Sequence, residues 1–319
     1  MTGPGQVEVW QVSVADPEPS EVLVRVQFSG ISPGTELRCL AGDQPMAVFP
    51  FVPGYSAAGV VIKAGRDSGL TEGDRVFAAG GKSYGDVARL WGGHSELLLQ
   101  DGRSVVRIPN GVASEDAALT KPAAIAFHGY RLARFGIDQK VAVIGLGLIG
   151  QISARLFRSA AQHIACDVDP DRVRIACDVG IDARVIDRDL QPLIGDHADW
   201  ADAVVDVTGV PSVLDRAIAL LRARPWGDVE LPIPTYLVQG SYPDAVRIPY
   251  QAAFMKEASF VLARDNGKRD LDAVLDAMAC GTLHLSDLRG FVVTPERAME
   301  AYSALRRRGG ILTALIDWR

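Results

Sequence analysis

The run Val141-Ala-Val-Ile-Gly-Leu-Gly-Leu-Ile-Gly150 sets a β-branched strand directly before Gly145, Gly147 and Gly150, and a helical pattern follows. Glycines at this spacing permit a tight turn, let backbone approach a pyrophosphate and pack helix on strand, while the phosphates meet the helix N-terminus. The next apolar run, His163-Ile-Ala-Cys166, ends at Asp167. That acid lies about twenty residues after the glycines, where a carboxylate accepts hydrogen bonds from the adenosine ribose hydroxyls. Strand, glycines, helix, strand and acid in this order make a dinucleotide site. The same carboxylate repels a 2′-phosphate, so the expected cofactor is NAD rather than NADP. Arg172 and Arg174 lie a few residues on and would argue for NADP, yet at helical spacing after Asp169-Pro170 they read more simply as a solvated helix face. The expected cofactor-binding set is Gly145, Gly147, Leu148, Ile149, Gly150, Asp167 and Arg172, joined by Thr208 and Gly209 from the small-residue turn that ends Asp202-Ala-Val-Val-Asp-Val-Thr-Gly209.

The elements that must position these residues alternate as a doubly wound α/β sheet requires. After Gln139, strands and helices follow one another, with Asp202–Gly209 as a buried central strand and Tyr236–Gly240 as the next. The first hundred or so residues are different. Short apolar runs (Glu21–Phe28, Gly59–Ile62, Asp74–Phe77, Ser95–Leu99) alternate with glycine and proline turns and predict a β-rich, barrel-like domain. Arg269–Cys280 and Pro295–Leu305 read as amphipathic helices, and Ile311–Ile316 as a last strand.

Composition narrows the class. The chain has 319 residues, 48% of them hydrophobic and 23% charged, which suits an ordinary globular protein of two domains. A formal net charge of −6 disfavours a nucleic-acid partner, and Arg306-Arg307-Arg308 is a short solvated face. No charged-then-apolar leader pattern opens the sequence and no apolar run is long enough to span a bilayer, so a cytoplasmic location is expected. Cys39, Cys166, Cys177 and Cys280 are scattered without CxxC spacing and suggest neither a disulfide framework nor a structural zinc lobe.

Further segments, Ser29-Gly-Ile-Ser-Pro-Gly-Thr-Glu36, Pro50-Phe-Val-Pro-Gly-Tyr-Ser56, Thr71-Glu-Gly-Asp-Arg-Val-Phe77 and Phe254-Met-Lys-Glu257, together with the glycine fingerprint, resemble the medium-chain dehydrogenase/reductase superfamily over nearly the whole chain. The pattern most similar within it is that of the bacteriochlorophyllide a dehydrogenase-like group. The resemblance implies a GroES-like substrate domain over 1–121, completed by 265–319, and a Rossmann NAD-binding domain over 122–264. It implies a homodimer as well, with Ser259–Ala263 where relatives pair sheets across a twofold axis. The segment 224–235 is an insertion relative to that pattern, and its prolines bar a central strand.

Zinc members of the superfamily bind their catalytic metal through a cysteine in the first turn, the histidine and acid of a GHE motif, and a later cysteine or glutamate. Here the first slot falls at Ser32 or Pro33, the second at Gly54-Tyr55-Ser56 and the third at Lys121. Serine, tyrosine and lysine are not a zinc donor set, so the expected branch is zinc-independent, with no metal. The alkoxide that zinc would stabilise must then be served otherwise. Tyr55 is the expected general acid/base, Lys121 its tuning cation or a ligand to the substrate oxygen, and Thr35 a proton relay toward the nicotinamide ribose, as the matching hydroxyl is in the superfamily. The competing reading is that Tyr55 fills the former metal cavity and Lys121 snorkels to solvent or pairs with Glu36. His128, seven positions beyond Lys121, is a further acid/base candidate. Tyr84, Trp91 and His94 sit in a loop expected to edge the substrate cleft and to select shape.

The function expected is an NAD-dependent, metal-independent oxidoreductase that interconverts a secondary alcohol and a ketone on a small molecule such as a tetrapyrrole side chain, a sugar or a cyclitol. A zinc-independent NAD(P)H-dependent reductase of quinone or enoyl double bonds, and a non-catalytic NAD-binding protein, are the alternatives.

Overall fold

The computed structural model describes residues 1–319 except 228–229, 243–244 and 308–309. Arg308 of the arginine run and two positions of the 224–235 segment therefore lie outside the described residues. The chain divides into two compact units, Met1–Ala124 with Gly267–Arg319, and Ile125–Asn266.

In the first unit the strands are β1 (Glu21–Ile31), β2 (Phe51–Val52), β3 (Ala57–Ala64), β4 (Arg75–Ala78), β5 (Ala88–Arg89), β6 (Leu97–Asp101) and β7 (Val105–Arg107). The helices are α1 (Pro33–Ala41), α2 (Ser114–Ala117) and the start of α3 (Thr120–Ala133), which runs on into the second unit. That second unit continues with β8 (Lys140–Ile144), α4 (Leu148–Leu156), β9 (Gln162–Asp167), α5 (Pro170–Asp178), β10 (Ala183–Val185), α6 (Gln191–His197), β11 (Ala203–Asp206), α7 (Pro211–Ala217), β12 (Thr235–Val238), α8 (Tyr250–Lys256) and β13 (Ser259–Leu262). The chain then returns to the first unit with α9 (Lys268–Ala279), β14 (Phe291–Val293), α10 (Ala298–Arg306) and β15 (Ala314–Asp317).

Strand β1 organises the first unit, because its alternating Val22, Val24, Val26 and Phe28 are all buried and it pairs antiparallel with β3, β6 and β15. The main sheet order is β14-β15-β1-β3-β4-β7, so the last strand of the chain lies beside the first. Strand β15 begins three residues later than the sequence pattern suggests. Its pairing with β1 opens at Ala314 opposite Ile31, and Thr313 instead donates its hydroxyl to the Ile31 carbonyl at 2.6 Å. The helix expected from Pro295 opens as a 3₁₀ turn over Pro295–Arg297 before α10 begins.

The second unit is a parallel sheet of order β10-β9-β8-β11-β12-β13. Strands β8 and β11 run side by side with Ile144 opposite Asp206, and the strand order reverses between them. Every residue of β11, and every residue of β8 after Lys140, is buried, which explains runs that are apolar throughout rather than alternating. This is the doubly wound architecture, whose ligand crevice lies beyond the carboxyl ends of the strands at the reversal. The described part of 222–234 forms neither helix nor strand, and Trp226 there is 82% exposed. No helix among the described residues is long and apolar enough to cross a membrane.

Candidate active site

The carboxyl end of β8 meets α4 through the glycine turn. Gly145 takes the left-handed φ of 92°, where a side chain would be strained. A Cβ on Gly150 would stand 1.8 Å from the Gly145 carbonyl oxygen, so helix and turn pack at a distance that only hydrogen allows. Gly147 differs: a Cβ there would meet no protein atom within 4 Å. Nothing in the protein requires that glycine, and the space beside it is left for something else. Gly147 caps α4, and the first helical bond runs from Gln151 N to Gly147 O at 2.8 Å. The amides of Leu148, Ile149 and Gly150 thus form the electropositive open end of the helix.

Asp167 ends β9 and is 6% exposed. One carboxylate oxygen accepts the Leu146 amide at 2.6 Å and the other accepts the Asp169 amide at 2.9 Å, which locks the acid against the glycine turn. Arg172 is not the solvated residue that its helical spacing suggested. Its guanidinium lies 3.6 Å from both Asp167 and Asp169, because α5 starts immediately after Asp169 and turns its first-turn side chains back toward β9. Arg174 is the solvated one, pairing with Asp171 and Asp178 on the exposed face. Thr208 and Gly209 follow β11, with Thr208 Cγ2 3.1 Å from where a Cβ on Gly145 would be. The turns after β8 and β11 therefore abut.

In the first unit, Ser32 is the residue before α1, Thr35 lies in its first turn, and Tyr55 precedes β3. The fold brings these three together: the Tyr55 hydroxyl donates to Ser32 Oγ and lies 3.4 Å from Thr35 Oγ1. Trp91 stands edge-on to the Tyr55 ring at 5.1 Å between centroids, with its own backbone in the left-handed region at φ 69°. A non-glycine residue there is strained.

Two expectations for this group are corrected. Desolvation pushes the Tyr55 phenol up to about 12, its hydrogen bonds to Ser32 and Thr35 lower it only in part, and Lys121 contributes neither a hydrogen bond nor charge to it. The lysine-tuned phenolate is therefore not what the structure holds. Nor does Lys121 pair with Glu36, whose partners lie elsewhere. On α3, His128 Nδ1 is 3.0 Å from the Arg131 guanidinium.

Glu36 is the centre of a buried network that the sequence did not reveal. It is fully buried and accepts from Ser32 N at 2.8 Å, from the Tyr302 hydroxyl at 2.6 Å and from His94 Nε2 at 2.7 Å. His94 Nδ1 lies 2.8 Å from Ser29 Oγ, and Ser29 in turn accepts the Trp318 indole N–H at 2.8 Å. The ring of His94 fills the space under Gly54, where a Cβ would be 2.6 Å from it. His94 thus props the turn that carries Tyr55. Burial and the Glu36 charge push the Tyr302 phenol well up, so it remains a donor. Tyr84 is also an interior pillar rather than a wall of the cleft: it is 1% exposed, donates to the Gly92 carbonyl and lies 2.7 Å from Ser95 Oγ. Of the three loop aromatics, only Trp91 touches Tyr55.

Of the residues that the resemblance sets in the zinc slots, Ser32 and Tyr55 are hydrogen-bonded to each other, and Lys121 adds neither a hydrogen bond nor charge to Tyr55. A hydroxyl and a phenol do not fit a zinc ion. Among the described residues, no three His, Cys, Asp or Glu side chains are grouped to hold a metal.

Residues 18–110 match the alcohol dehydrogenase GroES-like domain. Over its whole length the chain is 29% identical to a 2-desacetyl-2-hydroxyethyl bacteriochlorophyllide A dehydrogenase of Cereibacter sphaeroides, spanning 97% of that protein. The chain thus contains a segment like the alcohol dehydrogenase GroES-like domain and is similar to a dehydrogenase along its whole length. Solved structures share its fold along the whole chain. An alcohol dehydrogenase from Escherichia coli CFT073 complexed with NADH superposes with a TM-score of 0.84 at 21% identity, over 99% of this chain and 97% of that one. A dehydrogenase from Sinorhizobium meliloti 1021 bound to NADP gives 0.83 at 21% identity, over 99% and 97%. The GroES-like and Rossmann folds expected of such a chain are the two units described above.

Proposed function

We propose that the protein is an NAD-dependent oxidoreductase that interconverts a secondary alcohol and a ketone without a catalytic metal. The observation that carries the reading is the contact of Tyr55 with Ser32 and Thr35, two hydroxyls and a phenol where zinc members would assemble metal ligands. The second unit fits a dinucleotide, with an open helix end, a glycine whose side chain would enter empty space, and an acid fixed beside them. When bound, the nicotinamide supplies or takes the hydride at the reacting carbon.

The protein's own residues handle the proton. Tyr55, held up to about 12, keeps its proton through the neutral range and acts as the acid when a ketone is reduced. Ser32 Oγ accepts from it and Thr35 lies alongside, so the three form a short relay in which a proton given up at one hydroxyl is replaced from the next. Lys121 is assigned to the substrate oxygen, and His128 is the reserve acid/base. The substrate class proposed is a small molecule bearing a secondary alcohol, of the tetrapyrrole side-chain, sugar or cyclitol type. The named relative acts on a hydroxyethyl-bearing tetrapyrrole, which supports the first of these.

Arg172 supports a second reading. A guanidinium 3.6 Å from Asp167 is available to a 2′-phosphate, as an NADPH-dependent double-bond reductase would need. Metal analysis of the purified protein with calorimetric titration of NAD and NADP separates the two. Metal-free protein that prefers NAD is the expected result. Stoichiometric zinc overturns the metal-free chemistry, and preference for NADP moves the assignment to the double-bond reductase.

A further inference from the structure

Ser32 stands immediately before α1, the position where a serine ordinarily turns its hydroxyl back to accept a first-turn amide of the helix. Here it makes no such bond. The backbone of the turn is held by other groups: the Glu36 carboxylate accepts the Ser32 amide at 2.8 Å, and Thr313 donates its hydroxyl to the Ile31 carbonyl at 2.6 Å. Glu36 is in turn fixed by His94 and Tyr302. The serine hydroxyl is thereby diverted from the helix end to Tyr55. A residue suited to capping that leaves its helix without a side-chain cap has a use other than helix stability.

The hydrogen bonds of the pair point to that use. A hydroxyl donates one proton and can accept twice. Tyr55 gives its proton to Ser32 Oγ, with Thr35 Oγ1 a longer second contact at 3.4 Å. Among the described residues, none accepts the proton of Ser32 itself. Ser32 is half-buried, and Gly34 in the same turn is exposed. Of the bonded pair, the serine therefore holds the proton that is free for a ligand, and the phenol is the group that replaces it in one step.

We propose that the Ser32 hydroxyl is the group that touches the substrate oxygen, and that Tyr55 acts behind it by replacing the proton that Ser32 gives up. In ketone reduction the carbonyl carbon takes the hydride of NADH, and the carbonyl oxygen takes the Ser32 proton as its π bond breaks. Ser32 Oγ takes the Tyr55 proton in the same step, so the serine carries no full charge. The phenolate regains a proton from water after the alcohol has left. In alcohol oxidation each proton runs the other way. The inference rests on the alcohol–ketone reading of the site and fixes the order of groups within it.

Single-turnover reduction of two probe ketones by NADH tests it: acetophenone for a ketone on an aromatic ring, dihydroxyacetone for the sugar type. The full-length protein is compared with Ser32→Ala, Ser32→Thr, Tyr55→Phe and the Ser32→Ala/Tyr55→Phe double variant. Ser32→Ala and Tyr55→Phe should each lose about 100-fold. The double variant should stay within about threefold of the slower single one, since both groups act in one relay. Ser32→Thr keeps the hydroxyl and should recover to within about tenfold of the parent. NADH affinity by calorimetry should be the same in all. Ser32→Ala within about threefold of the parent overturns the proposal and returns the substrate contact to Tyr55, while the alcohol–ketone reading stands. Losses that multiply in the double variant make the two hydroxyls independent and overturn it as well. Ser32→Thr as slow as Ser32→Ala, or a lost NADH affinity, assigns Ser32 to the fold and also overturns it. If the unaltered protein reduces neither ketone, the alcohol–ketone reading itself fails, and this inference with it.

Discussion

The glycine turn of the second unit and the Tyr55 pocket of the first are built in opposite ways. The turn is contiguous: strand, three glycines and helix follow one another without a break from Lys140 to Leu156, and the acid follows on the neighbouring strand. The pocket is assembled from afar. Glu36 meets His94 across 58 positions and Tyr302 across 266, while Trp318 reaches Ser29 across 289. A contiguous site depends on backbone shape, so damage to it stays local. An assembled site depends on buried side-chain bonds, so damage to it spreads into the stability of its whole unit.

The largest effect should come from Glu36→Ala, which strips the acceptor from two buried donors, His94 and Tyr302, at about 1–3 kcal/mol each, and from the half-buried Ser32 amide. Urea unfolding should show a loss of several kcal/mol. A loss below about 1 kcal/mol would mean that the network is not what holds the pocket.

Tyr55→Phe should leave the fold intact and lower turnover about 100-fold or more, the usual contribution of a positioned acid/base. Stopped-flow measurement of ketone reduction with NADH checks this, and near-normal turnover would break the proton assignment. The same variant has an alkaline signature. An unfolded tyrosine titrates near 10, whereas Tyr55 does so at about 12. Its contribution to stability is thus complete below about pH 10 and is lost as pH rises through about 12. Thermal melts of Tyr55→Phe should decline less steeply than the parent across that window.

Gly147→Ala sharpens the contrast from the other side. Its Cβ meets no protein atom, so unfolding free energy should shift by no more than about 0.5 kcal/mol. NAD affinity should fall at least tenfold if the pyrophosphate occupies that space. Equal affinity in titration would place the ligand elsewhere.

The smallest effect concerns assembly. We propose a homodimer that pairs the edge strand β13, on which Leu262 is 72% exposed. Leu262→Asp should halve the sedimentation mass and leave dinucleotide binding within about twofold. An unchanged mass removes the assignment.

Legibility followed the same division. The period-2 and all-apolar runs marked β1, β8 and β11, and the glycine spacing marked the turn, since each depends on neighbours within a few residues. The slots at Ser32 or Pro33 and at Tyr55 were visible through the family resemblance, but the partner expected for Tyr55 was Lys121, and its contact with Ser32 came only from the structure. Lys121 was misjudged, because a shared slot says nothing about where a long flexible side chain goes. Arg172 was misjudged because helical spacing gives a face, not what that face packs against. His94 was read as a cleft residue, although the signal for its true place was present in part: Gly54 leaves room for its ring.

By itself the sequence determined the α/β class, the β-rich first unit and the glycine turn after β8, because these depend on residue type and short-range spacing. Only the tertiary structure decided that Tyr55 keeps its proton and that Glu36 is spent on His94 and Tyr302. Each of those outcomes depends on burial and on partners brought from distant positions. Desolvation and hydrogen-bond geometry are properties of the folded surroundings, not of the residue or its neighbours in the chain.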